Sequence, residues 1–213
     1  MHSPEQVSQV IRETFAGTPY PGDRFIQGSA EGSEPFDEVV PFQGKTSWAA
    51  IEPAFLDQRA SALSFFSEGG FRFFLPAYLL ADLQGKLELA EPLPHLTRGF
   101  WNLTVPLTVK GRVFHRLTGR SALMNPLRYG ALTGEDHARF RLSIFSREEA
   151  GALVAYLELK RDLDPRGFDA PAIDAALERF WRERARSAPT AADIARHLAG
   201  EAEYLAAVLD PRG

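Results

Sequence analysis

The chain has 213 residues, 45% of them hydrophobic and 11% aromatic, with a net charge of −4, which is enough apolar material for a sizeable core. It contains no cysteine, which excludes disulfides, thiol nucleophiles and every cysteine-based metal site. Met1 to Phe15 carries neither a basic nor an apolar leader pattern, and the nine apolar residues from Phe73 to Ala81 fall far short of the ~20 that a bilayer span requires, so a soluble, cytoplasmic protein without membrane association is expected.

The first element opens at Ser3-Pro4-Glu5-Gln6, a capping box with proline at the first helical position. Val7, Val10, Ile11 and Phe15 mark its buried face, and Gly17 closes it. Pro19-Tyr20-Pro21-Gly22-Asp23 reads as a rigid turn and the acidic stretch Gly28 to Asp37 as a surface loop. Trp48, Ile51, Phe55 and Leu56 recur at helical spacing after Ser47, with Pro53 delaying or kinking that helix. Ala62 to Leu83 carries five of the sixteen phenylalanines and is apolar around most of its circumference, the pattern of a helix buried on nearly all sides. Ser67 is its N-cap, and Pro76 predicts two short helices meeting at a bend, or one kinked helix.

Three strings in this first part resemble an uncharacterised bacterial family of small soluble proteins, a domain of unknown function. They are Pro19-Tyr20-Pro21-Gly22-Asp23, then Phe42-Gln43-Gly44-Lys45 with Trp48, then Leu63 through Leu80. The family signature runs PYPGD, F-x-G-K-x-W and LSF-x-x-P-x-x-F-R-Y-Y-L-P-A-Y; the likeness covers residues 5–85 and returns faintly at Phe145 to Glu149. The resemblance implies no activity. Relatives carry cysteines in the loop occupied here by Gly32-Ser33-Glu34, so a shared metal or redox role does not carry over.

Glu91-Pro92-Leu93-Pro94 reads as a stiff linker. Beyond it, Leu103 to Val109 and Arg112 to Leu117 flank Lys110-Gly111 as a hairpin in which Pro106 confines the first strand to an edge. Asn125-Pro126 and Gly130 to Gly134 are turn signals. Ser146-Arg147-Glu148-Glu149 is a second capping box, opening a helix with Ala150, Leu153, Val154 and Leu157 on one face. Asp169 caps a helix starting at Pro171, with Ile173, Leu177 and Trp181 inward; Thr190 to Asp193 opens the last, striped by Ile194, Leu198 and Leu205.

Charge is unevenly spread: residues 96–147 hold nine bases against Glu135 and Asp136, inside an otherwise acidic chain. Arg112, Arg116, Arg120 and Arg128 are the candidates for meeting an acidic protein partner; nucleic acid is disfavoured, since no RNA-binding signature with interleaved aromatics is present. Internal neutralisation of the acidic flanks accounts for the same charges without any partner.

Catalytic patterns are missing. Gly44-Lys45-Thr46-Ser47 lacks the earlier glycine of a phosphate loop, because Val39 stands there. None of the five histidines sits at metal-ligand spacing, and no nucleophile elbow or dinucleotide fingerprint occurs. Neither metal nor cofactor is expected, and Glu148-Glu149 is explained by capping. Asp23 and Arg72 are the charged residues inside the family-like strings; Arg72 is expected to pair with Asp23, Glu34, Asp37 or Glu38 and pin that loop to the core. Tyr20, Trp48 and Tyr78 are either pocket lining or ordinary core, with core favoured.

The expected architecture is a mainly α, compact irregular helical domain with a short β-hairpin near 100–118. It is a single domain over 1–213, divided into a helical core (1–95), a basic arm (96–146) and C-terminal helices (147–213). The leading functional expectation is a non-enzymatic protein–protein interaction module, adaptor- or immunity-like, with Tyr20, Asp23, Arg72 and the four arginines as binding candidates. A small-molecule enzyme using Asp23, Arg72 and Asp136-His137 is the alternative; anion or nucleic-acid binding through residues 96–147 is the second. Oligomeric state is left open.

Overall fold

Helix α1, Pro4–Phe15, starts where Ser3 Oγ accepts from Gln6 N and Gln6 Oε1 from Ser3 N, so two otherwise unpaired backbone amides are each satisfied by the other residue's side chain. The computed structural model describes residues 3–29, 32–100, 104–117 and 134–208. Val7, Ile11 and Phe15 are buried, whereas Val10 is 39% exposed: it lies at the rim of the stripe rather than within it. A short helix α2, Glu34–Val39, occupies part of the stretch expected to be loop. Its six residues bury only Pro35 and Val39, too few positions for a helical period to emerge from the sequence. Trp48–Ala50 forms a 3-10 turn, and α3 begins only at Pro53, running to Asp57, since proline is at ease in a first turn. The Trp48 indole donates to the Phe15 carbonyl at 3.2 Å, joining this region to the end of α1.

After α4, Ala62–Phe65, the central helix α5 runs from Glu68 to Leu83 with thirteen of its sixteen residues buried. It is one uninterrupted helix with Pro76 inside it, not two helices meeting at a bend. Pro76 forgoes the bond to the Arg72 carbonyl, a loss of ~3 kcal/mol in an exposed helix. Here Leu75, Pro76, Ala77 and Tyr78 are all buried, and packing on every side holds the backbone helical across the missing bond.

The chain entering α5 lies unusually close to the segment Ile26–Gly28. Ser67 N donates to the Ile26 carbonyl at 2.9 Å and Gly28 N to the Phe65 carbonyl at 2.8 Å, a strand-like bridge between Gln27 and Phe66. A Cβ on Gly70 would sit 2.5 Å from the Ile26 oxygen, and one on Gly28 would sit 2.7 Å from the Phe66 oxygen. Both positions therefore require glycine. Phe42 packs edge-on against Phe55, Phe66 and Phe74, each at 4.9 Å.

The second half wraps α5. Helix α6, Leu93–Thr97, replaces the expected linker and buries Leu93 and Leu96. Strands β1, Thr104–Val109, and β2, Arg112–Leu117, pair antiparallel with Val109 opposite Arg112 and Pro106 opposite His115. Lys110 (φ 50°) and Gly111 (φ 75°) are both left-handed, the backbone a two-residue hairpin turn needs. Helix α7, Gly134–Arg141, leads into α8, Arg147–Leu163, which opens on the predicted capping box. Helix α9, Ala170–Ala176, passes through a π-helical turn, Leu177–Trp181, into α10, Arg182–Ser187; Asp169 makes no capping bond by its side chain. The final helix α11, Ala191–Val208, starts where Thr190 and Asp193 hydrogen-bond reciprocally. One contiguous core draws on α1, α5, α8 and the π turn, from Val7 to Trp181. The molecule is thus a mainly α, compact helical domain with one hairpin. The turn expected at Asn125-Pro126 and residues 130–133 of the one expected from Gly130 to Gly134 lie outside the described residues, and Gly134 itself opens α7.

Gly70→Ala is expected to destabilise the fold by about 1–3 kcal/mol through overpacking, although alanine is the better helix former. Urea denaturation checks this as a lowered midpoint at unchanged slope.

Candidate functional site

An α-helix leaves its first four amides without intrahelical partners, and in α5 these amides are buried. Gly70 N is taken by the Ser67 hydroxyl at 2.8 Å. Glu68 N and Gly69 N are taken by one carboxylate from the far end of the chain: Glu201 on α11 accepts them at 2.6 and 2.9 Å. A carboxylate at this end also meets the positive pole of the helix. One turn earlier on α11, His197 Nε2 makes a close hydrogen bond to Glu68 Oε2. Between them Leu198 lies beside Gly69, its Cδ2 3.6 Å from where a Cβ would stand. The bond to Glu68, with the charges of Glu68 and Glu201, raises the His197 pKa against the opposing effect of burial.

Arg72, one turn further into α5, is 13% exposed and donates from Nε to both oxygens of Glu149 at 3.1 and 2.9 Å. Glu149 also accepts from Ser146 N at 2.8 Å and from the Thr18 hydroxyl at 2.9 Å. The expected partner of Arg72 in the 19–38 loop is therefore corrected to Glu149. Capping α8 turns this carboxylate back beside α5, while Asp23 is drawn elsewhere. Glu149 is both a cap and the buried counter-ion; sequence reading recognised only the cap.

Between the Thr18–Phe25 segment, α5 and α11 lies a largely apolar cleft of about 250 Å³, lined by Thr18, Pro21, Phe25, Gly69, Arg72 and Leu198, with Glu201 at its edge. Of the candidates named from sequence, Arg72 lines this cleft and Asp23 does not. Asp23 accepts from the Tyr20 hydroxyl and from Gly44 N at 2.7 Å. Those bonds hold its carboxyl below the usual range, and burial with the neighbouring Asp23 raises the Tyr20 phenol. The two family-like strings thus meet in a structural clasp: Asp23 fixes the turn at Gly44 (φ 74°), and Lys45 lies over the Phe55 ring at 4.3 Å. Trp48 and Tyr78 are buried core residues, the latter donating to the Arg59 carbonyl at 3.0 Å.

The basic segment divides. Arg139 pairs with Glu135 and also donates to the Arg179 carbonyl at 2.6 Å. Arg141 donates to the Leu63 carbonyl and covers the Phe71 ring at 4.6 Å. Both serve the fold. Arg98, Lys110, Arg112 and Arg147 are exposed. The side chain of Arg116, residues Arg120 and Arg128, and the side chains of Asp136 and His137 lie outside the described residues. His95, buried near Arg141 and Arg98, has its pKa pushed down to about 3, first by desolvation and then by those two cations.

Among the described residues no group of three His, Asp or Glu could hold a metal ion, and no helix is long and apolar enough to cross a membrane. Comparison with family models, curated proteins and solved structures finds no match. The groups that sequence reasoning missed are His197, Leu198 and Glu201. They stand on an ordinary amphipathic helix; Glu201 is partnered by backbone amides, which leave no residue signal, and His197 by the side chain of Glu68, 129 positions away.

Arg72→Met is expected to destabilise by about 3–5 kcal/mol, because Glu149 then stays buried without its cation. Combining it with Glu149→Gln should recover much of the loss. A denaturation double-mutant cycle that shows simple additivity would contradict the pairing.

Proposed function

We propose that this protein is a non-enzymatic interaction module that receives an acidic amphipathic helix in the cleft at the N-terminus of α5. The observation that carries this reading is the Glu201 carboxylate seated on the Glu68 and Gly69 amides: the chain's own α11 acts as the ligand. The receptor offers three kinds of contact. The amides and helix pole take a carboxylate, the cleft beside Gly69 takes an apolar side chain three residues earlier, and Glu68 takes a cation one turn earlier. On α11 these are Glu201, Leu198 and His197.

The occupant buries Ile194 and Leu205 on its inner face. It follows the non-helical link Ala188-Pro189-Thr190, and Ala195, Arg196, Ala199, Gly200 and Glu203 are all exposed. A partner helix with Leu-x-x-Glu spacing competes for the same contacts. Such competition regulates by mass action: the apparent affinity of the partner falls by the fraction of time the cleft is open.

The test uses a fluorescent peptide of residues 189–208 and the full chain carrying Leu198→Asp with Glu201→Ala, which weakens self-occupation. Fluorescence anisotropy should show saturable binding to the variant and at least ~10-fold weaker apparent binding to the wild-type chain, whose α5 amides are already taken by Glu201. A Glu201→Gln peptide should bind more weakly. Because docking raises the His197 pKa above its ordinary 6.5, its contribution to affinity is complete below that value and fades as pH rises through the bound-state pKa. No binding to a variant that circular dichroism shows to be folded would refute the proposal.

A further inference from the structure

A second feature, away from the α11 cleft, concerns Arg184 on α10. Its guanidinium is half-buried, and both Nε and Nη2 are shielded from solvent without a hydrogen-bond partner. Among the described residues no carboxylate forms an ion pair with it: the charged residues lining the site with it are Arg139, paired with Glu135, and Glu183, which is exposed. A desolvated guanidinium without acceptors is costly, because arginine stays charged and each unmade bond leaves its donor stripped of water. Desolvation alone lowers its pKa.

Beside it is a cavity of about 150 Å³, lined by Arg139, Phe180, Glu183, Arg184 and Ser187. The backbone leading into it is the π-helical turn Leu177–Trp181, a rare and poorly bonded form that proteins keep mostly at functional sites. Around this turn the Arg179 carbonyl receives the Arg139 guanidinium at 2.6 Å, and Arg179 itself donates to the Phe100 carbonyl at 2.8 Å. One wall of the cavity is therefore braced, with its cation committed, while Arg184 keeps an uncommitted fork.

We infer that this cavity binds a small oxyanion, a phosphate or carboxylate group, with Arg184 as the principal ligand. Two oxygens match the planar fork of a guanidinium, and Arg184, whose Nε and Nη2 have no partner, lines the cavity. The orphaned donors then gain acceptors and the charge gains a counter-ion. Arg139 adds positive potential from across the cavity, and the Phe180 ring supplies an apolar wall. Glu183 disfavours a highly charged ligand, which selects for a singly charged group or a monoester at the end of a larger molecule.

The test is thermal melting of the full chain in inorganic phosphate, in acetate and in sodium chloride at matched ionic strength. NMR of the Arg184 Nε–Hε signal is recorded alongside. Phosphate or acetate should raise the melting temperature saturably above the chloride control and shift that signal; whichever acts more strongly identifies the group. Arg184→Gln should abolish the rise and, without ligand, leave the protein at least as stable as wild type, because an uncompensated charge has been removed. Arg184→Lys should retain only part of the effect, and Arg196→Gln, an exposed residue paired with Asp193, should retain all of it. No rise beyond chloride, or an equal rise in Arg184→Gln, would overturn the site. A loss of stability in Arg184→Gln equal to that of a buried ion-pair deletion would overturn the claim that the charge is uncompensated.

Discussion

A helix buried on nearly every side cannot leave its first amides to water, and the structure around α5 follows from that constraint. Ser67, the backbone of Ile26 and the carboxylate of Glu201 are the means by which buried N–H groups at its entrance are satisfied. The first is local, the second requires close approach of two backbones, and the third reaches across the chain. Close approach in turn forces glycine at 28 and 70. Gly69 lies in the same turn, beside Pro21 and Leu198, so the segment that forms the core entrance also lines the cleft.

Much of this was legible in the sequence where the cause is local. Ser3 and Ser146 announced their capping boxes, Lys110-Gly111 announced a hairpin turn, and the phenylalanines of Ala62 to Leu83 announced a buried helix. Of the two expectations for Pro76, that of two separate helices is excluded by the single helix Glu68–Leu83: helix propensity describes a solvated helix, whereas α5 is buried over most of its surface. The helices at Glu34 and Leu93 were missed because five or six residues are too short to display a period. At the site, Arg72 was correctly marked as a charge needing a buried acid, but the acid was misassigned. The acids of the acidic loop, Asp23, Glu34, Asp37 and Glu38, are the expected partners, while Glu149 is brought in by the capping geometry of a helix far along the chain.

Two arginines show opposite treatments of the same group. Arg72 is enclosed, and its Glu149 partner is completed by Ser146 N and the Thr18 hydroxyl; a fully satisfied pair of this kind fixes how α1, α5 and α8 meet. Arg184 is desolvated without such completion. Placing a charge where it has no internal answer lowers stability, and proteins tolerate that chiefly where a ligand supplies the answer. The basic character of residues 96–147 divides along the same line, with Arg139 and Arg141 spent on the fold and Arg112 left to solvent.

Residue-resolved hydrogen exchange under native conditions tests most directly whether the carboxylate on the entrance of α5 belongs to a displaceable occupant. Displaceable docking predicts that the amides of Glu68 and Gly69 exchange at a free energy well below global unfolding, together with the amides of α11. Gly70 and Phe71, held by Ser67, should remain protected to the global limit. Exchange of Glu68 and Gly69 only through global unfolding, in step with the centre of α5, would show instead that α11 is a fixed part of the core and contradict its role as an occupant.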